Sequence, residues 1–352
     1  QLAGRDNNLN LIRLIAAFAV LVSHAFPIAV GRGATEPFEH ITGMSLGGLA
    51  VALFFALSGL LIANSFERSP DLVRFAVARV LRLFPGLIVV LLITVLVGTM
   101  ITTLEPAAFL LSPGTLAYIP RNLSLAFLQY DLPGVFADNP YPLAINGSLW
   151  TLFYEVLCYG GVLVAGVAGL LRRRWTFSVC VLVLATAYLY CLHWAPGGGV
   201  ARRIDLFVTL AFPFSLGMLA YVWREVFAFN WRWALGLCGL AAISSYSPLA
   251  PLFFVVALTY ATGWFGFEIK GRILRFNRVG DYSYGVYIYA FPVQQLIAYC
   301  VPGVSPLANI ALSLPITLGL AILSWHLVEK RALAQIKPLA NALRRLKGNA
   351  AS

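Results

Sequence analysis

Ten long apolar blocks separated by short polar stretches dominate the chain, at roughly residues 9–30, 46–66, 84–104, 148–170, 176–194, 205–223, 232–247, 249–266, 282–301 and 307–327. Each comes near the roughly 20 apolar residues that a helix needs to cross a hydrocarbon core about 30 Å thick. The pattern predicts an all-α fold, a polytopic transmembrane helix bundle of about ten spans. The seventh and eighth blocks are short and divided only by Ser247-Pro248. Folded as one re-entrant unit, they would leave the orientation of the later spans unchanged. One transmembrane domain is expected over 1–335, with a short basic tail over 336–352.

The basic residues orient the bundle. Arg5 and Arg13, the arginines around 68–82, Arg172 to Arg174, Arg224, Arg232, the cluster 270–278 and the tail from Lys330 to Lys347 make 21 of the 25 Lys and Arg. The other side holds only Arg32, Arg121, Arg202 and Arg203. This alternation, loop by loop, predicts that the N-terminus, the even loops and the C-terminus are cytoplasmic. It also explains the net charge of +11 without nucleic acid, because the charges sit in short loops rather than along one soluble face. Composition agrees, with 60% hydrophobic and 11% charged residues against roughly 25% charged in soluble domains. The five cysteines lie in or beside apolar blocks with no C-x-x-C pair, so neither a metal site nor a disulfide framework is expected. No cleavable leader is expected before the first span.

One outer connection is long. Residues 105–147 contain six prolines together with Asp131 and Asp138. A loop of that length is either functional, covering an outward-facing cavity, or a passive connector. The two halves show no repeat, which weighs against an inverted-repeat transporter.

Ionisable groups inside spans are costly and point to function. The first span places Arg13 and His24 eleven residues apart, within about 20° of one face and about 16 Å along the axis. Arg13 falls near the cytoplasmic edge, where snorkelling is its structural reading. His24 falls in the outer half, where a packed, hydrogen-bonded histidine is the alternative. Glu155 lies two turns into the fourth span, which runs inward, and so at a depth comparable to His24. A carboxylate beside an imidazole fixes its tautomer and raises its basicity; a salt bridge to an arginine is the other reading of Glu155. Ser58-Gly59 in the second span suits close helix packing, and no nucleophile elbow surrounds Ser58. Arg79 and Arg82, three residues apart and followed by Pro85, form a paired guanidinium site for phosphate oxygens or serve topology alone. No Walker A loop or dinucleotide-binding glycine pattern occurs.

Together these segments resemble the membrane-bound acyltransferase family 3. The first-helix Arg, ten intervening residues and His are matched by Arg13 and His24. The F-F-x-x-S-G segment is matched at Phe54 to Gly59, the R-x-x-R pair at Arg79 and Arg82, and the S-L-W-T segment with its Glu at Ser148 to Glu155. S-Y-x-x-Y is matched at Ser283 to Tyr287, and the terminal Glu segment at Glu329. The motifs span nearly the whole chain in the family's order. Asn10 and Ala290 stand where members often carry Asp and a late His.

The resemblance implies an O-acyltransferase of the cell (inner) membrane. It would move an acyl group, usually acetyl, from cytoplasmic acyl-CoA to a sugar hydroxyl of an envelope or exported polysaccharide, or of a lipid-linked precursor. Acetyl-CoA would be the co-substrate, with no metal. Arg79, Arg82, Arg13 and Ser58 would hold the donor. His24 would be the general base, oriented by Glu155, or would carry the acyl group as a relay. Trp150 and Tyr154 would stack on the sugar, although both residue types are also ordinary interface anchors. The competing readings are a lipid-linked sugar transporter or flippase using an Arg/His/Glu relay, and a non-catalytic partner in polysaccharide assembly.

Overall fold

The computed structural model describes residues 7–36, 38–68, 71–194, 197–226 and 228–349. Arg5 and the last residues of the basic tail fall outside them. Helices occupy the ten predicted blocks: α1 Leu9–Val30, α2 Leu46–Arg68, α3 Leu72–Ile101, α4 Trp150–Val167, α5 Arg174–Trp194, α6 Gly199–Val222, α7 Trp231–Ile243, α8 Ala250–Glu268, α9 Ser283–Cys300 and α10 Pro306–Ser324. Among the described residues, eight helices are long and apolar enough to cross a membrane, and the chain is an all-α membrane bundle. The other two depart for different reasons. The 13-residue α7 spans about 20 Å, short of a hydrocarbon core. In α9, Gln294, Gln295 and four tyrosines dilute an otherwise apolar run.

α3 begins at Leu72 rather than near 84. Asp71 caps it, its side chain accepting the Arg74 N–H at 3.2 Å, and the basic stretch before Pro85 continues the helix that apolarity alone shows only later. The last span also continues, through a π turn at Trp325–Glu329 and a short helix Lys330–Ala334 into α11, Ile336–Asn349. The outer connection is folded. Pro106–Leu111 and Pro113–Leu123 are helices, started by Pro and capped by the Glu105 and Ser112 side chains.

Two compact units divide the chain: Gln1–Val20, Glu36–Ser69 and Tyr154–Gly280 in the first, and Leu21–Thr35, Pro70–Phe153 and Asp281–Ser352 in the second. In the first, α2 and α6 cross backbone to backbone. A Cβ on Gly59 would lie 1.9 Å from the Phe214 carbonyl oxygen, and one on Gly217 would lie 1.8 Å from that of Ala56. The Ser58-Gly59 segment thus fits the close-packing reading. Gly59→Val is expected to lower the unfolding free energy by about 1–3 kcal/mol through overpacking, measured by thermal unfolding in detergent; an unchanged midpoint would refute the crossing.

The polar contacts of the first unit sort its loops. Glu67 accepts from the Tyr221 hydroxyl (2.9 Å) and from Arg224 (3.0 Å), and Arg174 pairs with Glu225. The loops after α2, α4 and α6 therefore meet at one end. At the other end, the Tyr246 N–H donates to the Ile41 carbonyl (3.2 Å). Alternate loops at opposite ends follow the alternation of charge along the sequence.

In the second unit α9 packs on α10. Gly285 abuts Ala321, where a Cβ would approach to 2.8 Å. Asn309, Ser313, Thr317, Ala321 and Ser324 form the buried face of α10.

Candidate active site

Helix α9 collects the polar motifs of the second unit. At its start, Asp281 binds Arg82 at 2.7 Å, and Glu329, 1% exposed, lies 3.6 Å from the same guanidinium. Ser283 donates to Asp281 and Ser324 to Glu329 (2.8 Å). The Tyr284 ring lies under Arg82 at 5.5 Å, while its hydroxyl donates to the Leu83 carbonyl (2.6 Å). The R-x-x-R, S-Y-x-x-Y and terminal Glu segments are therefore one cluster. Arg82 is held by two carboxylates, whereas the Arg79 guanidinium lies over Phe75 at 5.7 Å. One turn further along α9, the Tyr287 hydroxyl bonds the Ser148 carbonyl (3.0 Å) and the Thr151 hydroxyl (2.6 Å), which brings in the S-L-W-T segment.

Two turns from Tyr284, about 10 Å along the axis, α9 meets the outer half of α1. Phe291 presents a T-shaped contact to His24, ring centroids 5.2 Å apart, and another to Tyr141 at 5.7 Å. Residue 147 is glycine for this reason: a Cβ there would lie 2.6 Å from the Phe291 ring. Arg32 caps the stack, 4.8 Å from the Tyr141 ring. His24 itself is half-buried, and its Nδ1 is shielded with no hydrogen-bond partner among the described residues. An imidazole with one nitrogen enclosed is restricted in orientation and can exchange a proton only through the other.

The remaining predicted residues are distributed as follows. Glu155 is half-buried in the first unit and accepts from the Tyr159 hydroxyl on its own helix, so a tyrosine rather than an arginine engages it. Tyr154 is buried in that unit, and Ser58 is half-buried beside the α2–α6 crossing. Arg13 is half-buried on the first-unit part of α1, and Trp150 half-buried at the start of α4 in the second unit.

Several residues escaped a reading that looked for ionisable groups. Gln294 and Gln295 are fully buried. Gln295 donates to the Tyr141 (2.8 Å) and Ala144 (2.6 Å) carbonyls and accepts from Asn139 (2.9 Å), docking the outer loop. Asn146 donates to the Ile288 carbonyl (2.9 Å). Consecutive glutamines in an apolar block were the available signal, since an amide in a membrane helix has to find partners within the protein.

Comparison with known proteins identifies the family. A family model described as an acyltransferase domain matches residues 6–326. An O-acetyl transferase of Shigella phage Sf6 is 30% identical over 348 residues, covering 95% of this chain and 98% of that protein. Nodulation protein 10 of Rhizobium leguminosarum bv. viciae is 29% identical over 371 residues, covering 94% of each. No solved structure matches. With the family's motifs in order and the family model matching nearly its whole length, the chain belongs to the membrane-bound acyltransferase family 3 and is a multi-pass membrane O-acyltransferase.

Proposed function

We propose that the protein transfers an acetyl group from cytoplasmic acetyl-CoA to a sugar hydroxyl of an envelope or exported polysaccharide, or of its lipid-linked precursor, in the inner membrane. The observation that carries this reading is the layering along α9. Arg82 lies at one end, the 105–147 connection docks at the other, and His24 lies between, against Phe291. The excess of Lys and Arg in the even loops supports a cytoplasmic arginine end with both termini on that side. The phage relative's name supports acetyl as the group moved.

In the reaction, His24 Nε2 takes the proton from the sugar hydroxyl as its oxygen attacks the thioester carbonyl carbon. The C–S bond then breaks, and the proton passes to the leaving CoA thiolate. Arg82 is engaged by Asp281 and Glu329; Arg79, over Phe75, is assigned to the donor's phosphates. Trp150, in the same unit as His24, is assigned to the sugar.

Mass spectrometry of surface glycans from cells with and without the protein should show O-acetyl groups only with it. Purified protein in vesicles should move labelled acetyl from acetyl-CoA to that glycan. Glycan accumulation inside vesicles without any donor would instead establish a transporter. Glu155→Gln keeps an acceptor for Tyr159 but removes the charge, and is expected to lower turnover by about tenfold or more. Wild-type turnover in that variant would leave Glu155 a structural role.

A further inference from the structure

α1 and α9 meet in a seam with two layers. In one, the edge-to-face contact of Phe291 fixes the plane of the His24 ring. In the other, one turn along each helix, the Gln294 side chain donates through Nε2 to the Leu21 carbonyl at 2.8 Å. Leu21 precedes His24 by one turn, and Gln294 follows Phe291 by one turn, so imidazole and amide belong to adjacent layers of the same seam. Gln294 is itself held, because its backbone carbonyl accepts from Asn309 Nδ2 at 3.1 Å. Both Gln294 and Asn309 are fully buried. The side-chain amide is therefore fixed through its Nε2 bond to α1, while the Asn309 bond holds the backbone that carries it.

Two polar atoms remain in this seam. Gln294 Oε1 and His24 Nδ1 are both shielded and have no hydrogen-bond partner among the described residues. They are chemically complementary. An amide oxygen only accepts, and an imidazole nitrogen donates when it carries the proton. In a membrane interior an amide dipole acts at short range with little screening.

We infer that Gln294 is a positioning residue for His24. It ties α1 to α9 one turn from His24; its side-chain oxygen, not hydrogen-bonded to Nδ1 in this structure, accepts the Nδ1 proton when the site tightens on its substrates, which holds the imidazole as the Nδ1–H tautomer with the Nε2 lone pair left for the acceptor hydroxyl. The inference rests on His24 acting as the base, but tautomer and turnover are separate observables. Gln295, next in sequence and equally buried, provides the control, because its bonds go to Tyr141, Ala144 and Asn139 and not to α1.

The chain contains four histidines, so the full-length protein with 15N-labelled histidine, reconstituted in lipid nanodiscs, gives a tractable spectrum. A His24→Gln sample identifies the His24 signals. The wild-type protein should show His24 with protonated Nδ1 and unprotonated Nε2. Gln294→Met, near-isosteric but without either polar end, should mix or invert the tautomer. It should also lower kcat for acetyl transfer by about ten- to a hundredfold with the KM for acetyl-CoA unchanged. Gln295→Met should leave the His24 signals in place. Unaltered His24 signals in a folded Gln294→Met protein would overturn the inference, as would equal displacement by both variants. If His24→Gln retains activity while Gln294→Met shifts the tautomer, the positioning stands and the base assignment fails.

Discussion

His24→Ala is expected to lower acetyl transfer by about 10²–10⁴-fold, the usual contribution of a positioned general base. The loss should fall on kcat. The donor is assigned to the arginine end of α9, about two turns away, so the KM for acetyl-CoA should change little. The folded state should survive, because the ring's described contact is the edge of Phe291 and Gln294 ties α1 through the Leu21 carbonyl rather than through the imidazole. Thermal unfolding in detergent checks that point before turnover is compared. Added imidazole should restore part of the rate by occupying the space the ring leaves. Near wild-type turnover in folded His24→Ala protein would remove the histidine from the mechanism. Incubation with labelled acetyl-CoA in the absence of glycan separates the two covalent courses: label on His24 of the wild-type protein indicates a relay, and its absence indicates direct transfer.

How far the sequence led depended on the kind of signal. The apolar block over residues 9–30 located α1 at both ends, because its few polar residues, Arg13 and His24 among them, lie inside the run and not at its limits. The start of α3 was hidden, because hydropathy registers only the apolar stretch after Arg82 while the helix is launched by an Asp71 cap in a basic run. Motif order identified the family. It could not show that Arg82 is already engaged by carboxylates, because Asp281 lies 199 residues away in sequence. Glu155 and His24 share a predicted depth but fall in different compact units. The outer loop's prolines read as irregular chain, yet two of them start helices. Neutral amides were the largest omission. Their cost inside a membrane helix is met by partners distant in sequence, so Gln294 and Gln295 gain meaning only once α1, the outer loop and α10 are in place around α9.

Arg82→Gln is expected to act on the fold before it acts on catalysis. The Arg82 side chain is 13% exposed and lies against the carboxylates of Asp281 and the buried Glu329. Removing the cation leaves two like charges beside one another in a poorly solvated place, and breaking a buried pair from one side costs about 3–5 kcal/mol. The same loss removes one of the ties that hold α3 to α9 and leaves the Tyr284–Leu83 bond as the other. Glu329→Gln should cost less, because Asp281 still compensates Arg82 and the new amide still accepts from Ser324. Arg79→Gln should raise the KM for acetyl-CoA. Unfolding midpoints and donor affinities for the three variants therefore separate the two arginines. If Arg82→Gln leaves the midpoint unchanged and weakens donor binding as much as Arg79→Gln does, then the carboxylates release Arg82 to the donor, and both arginines belong to the phosphate site.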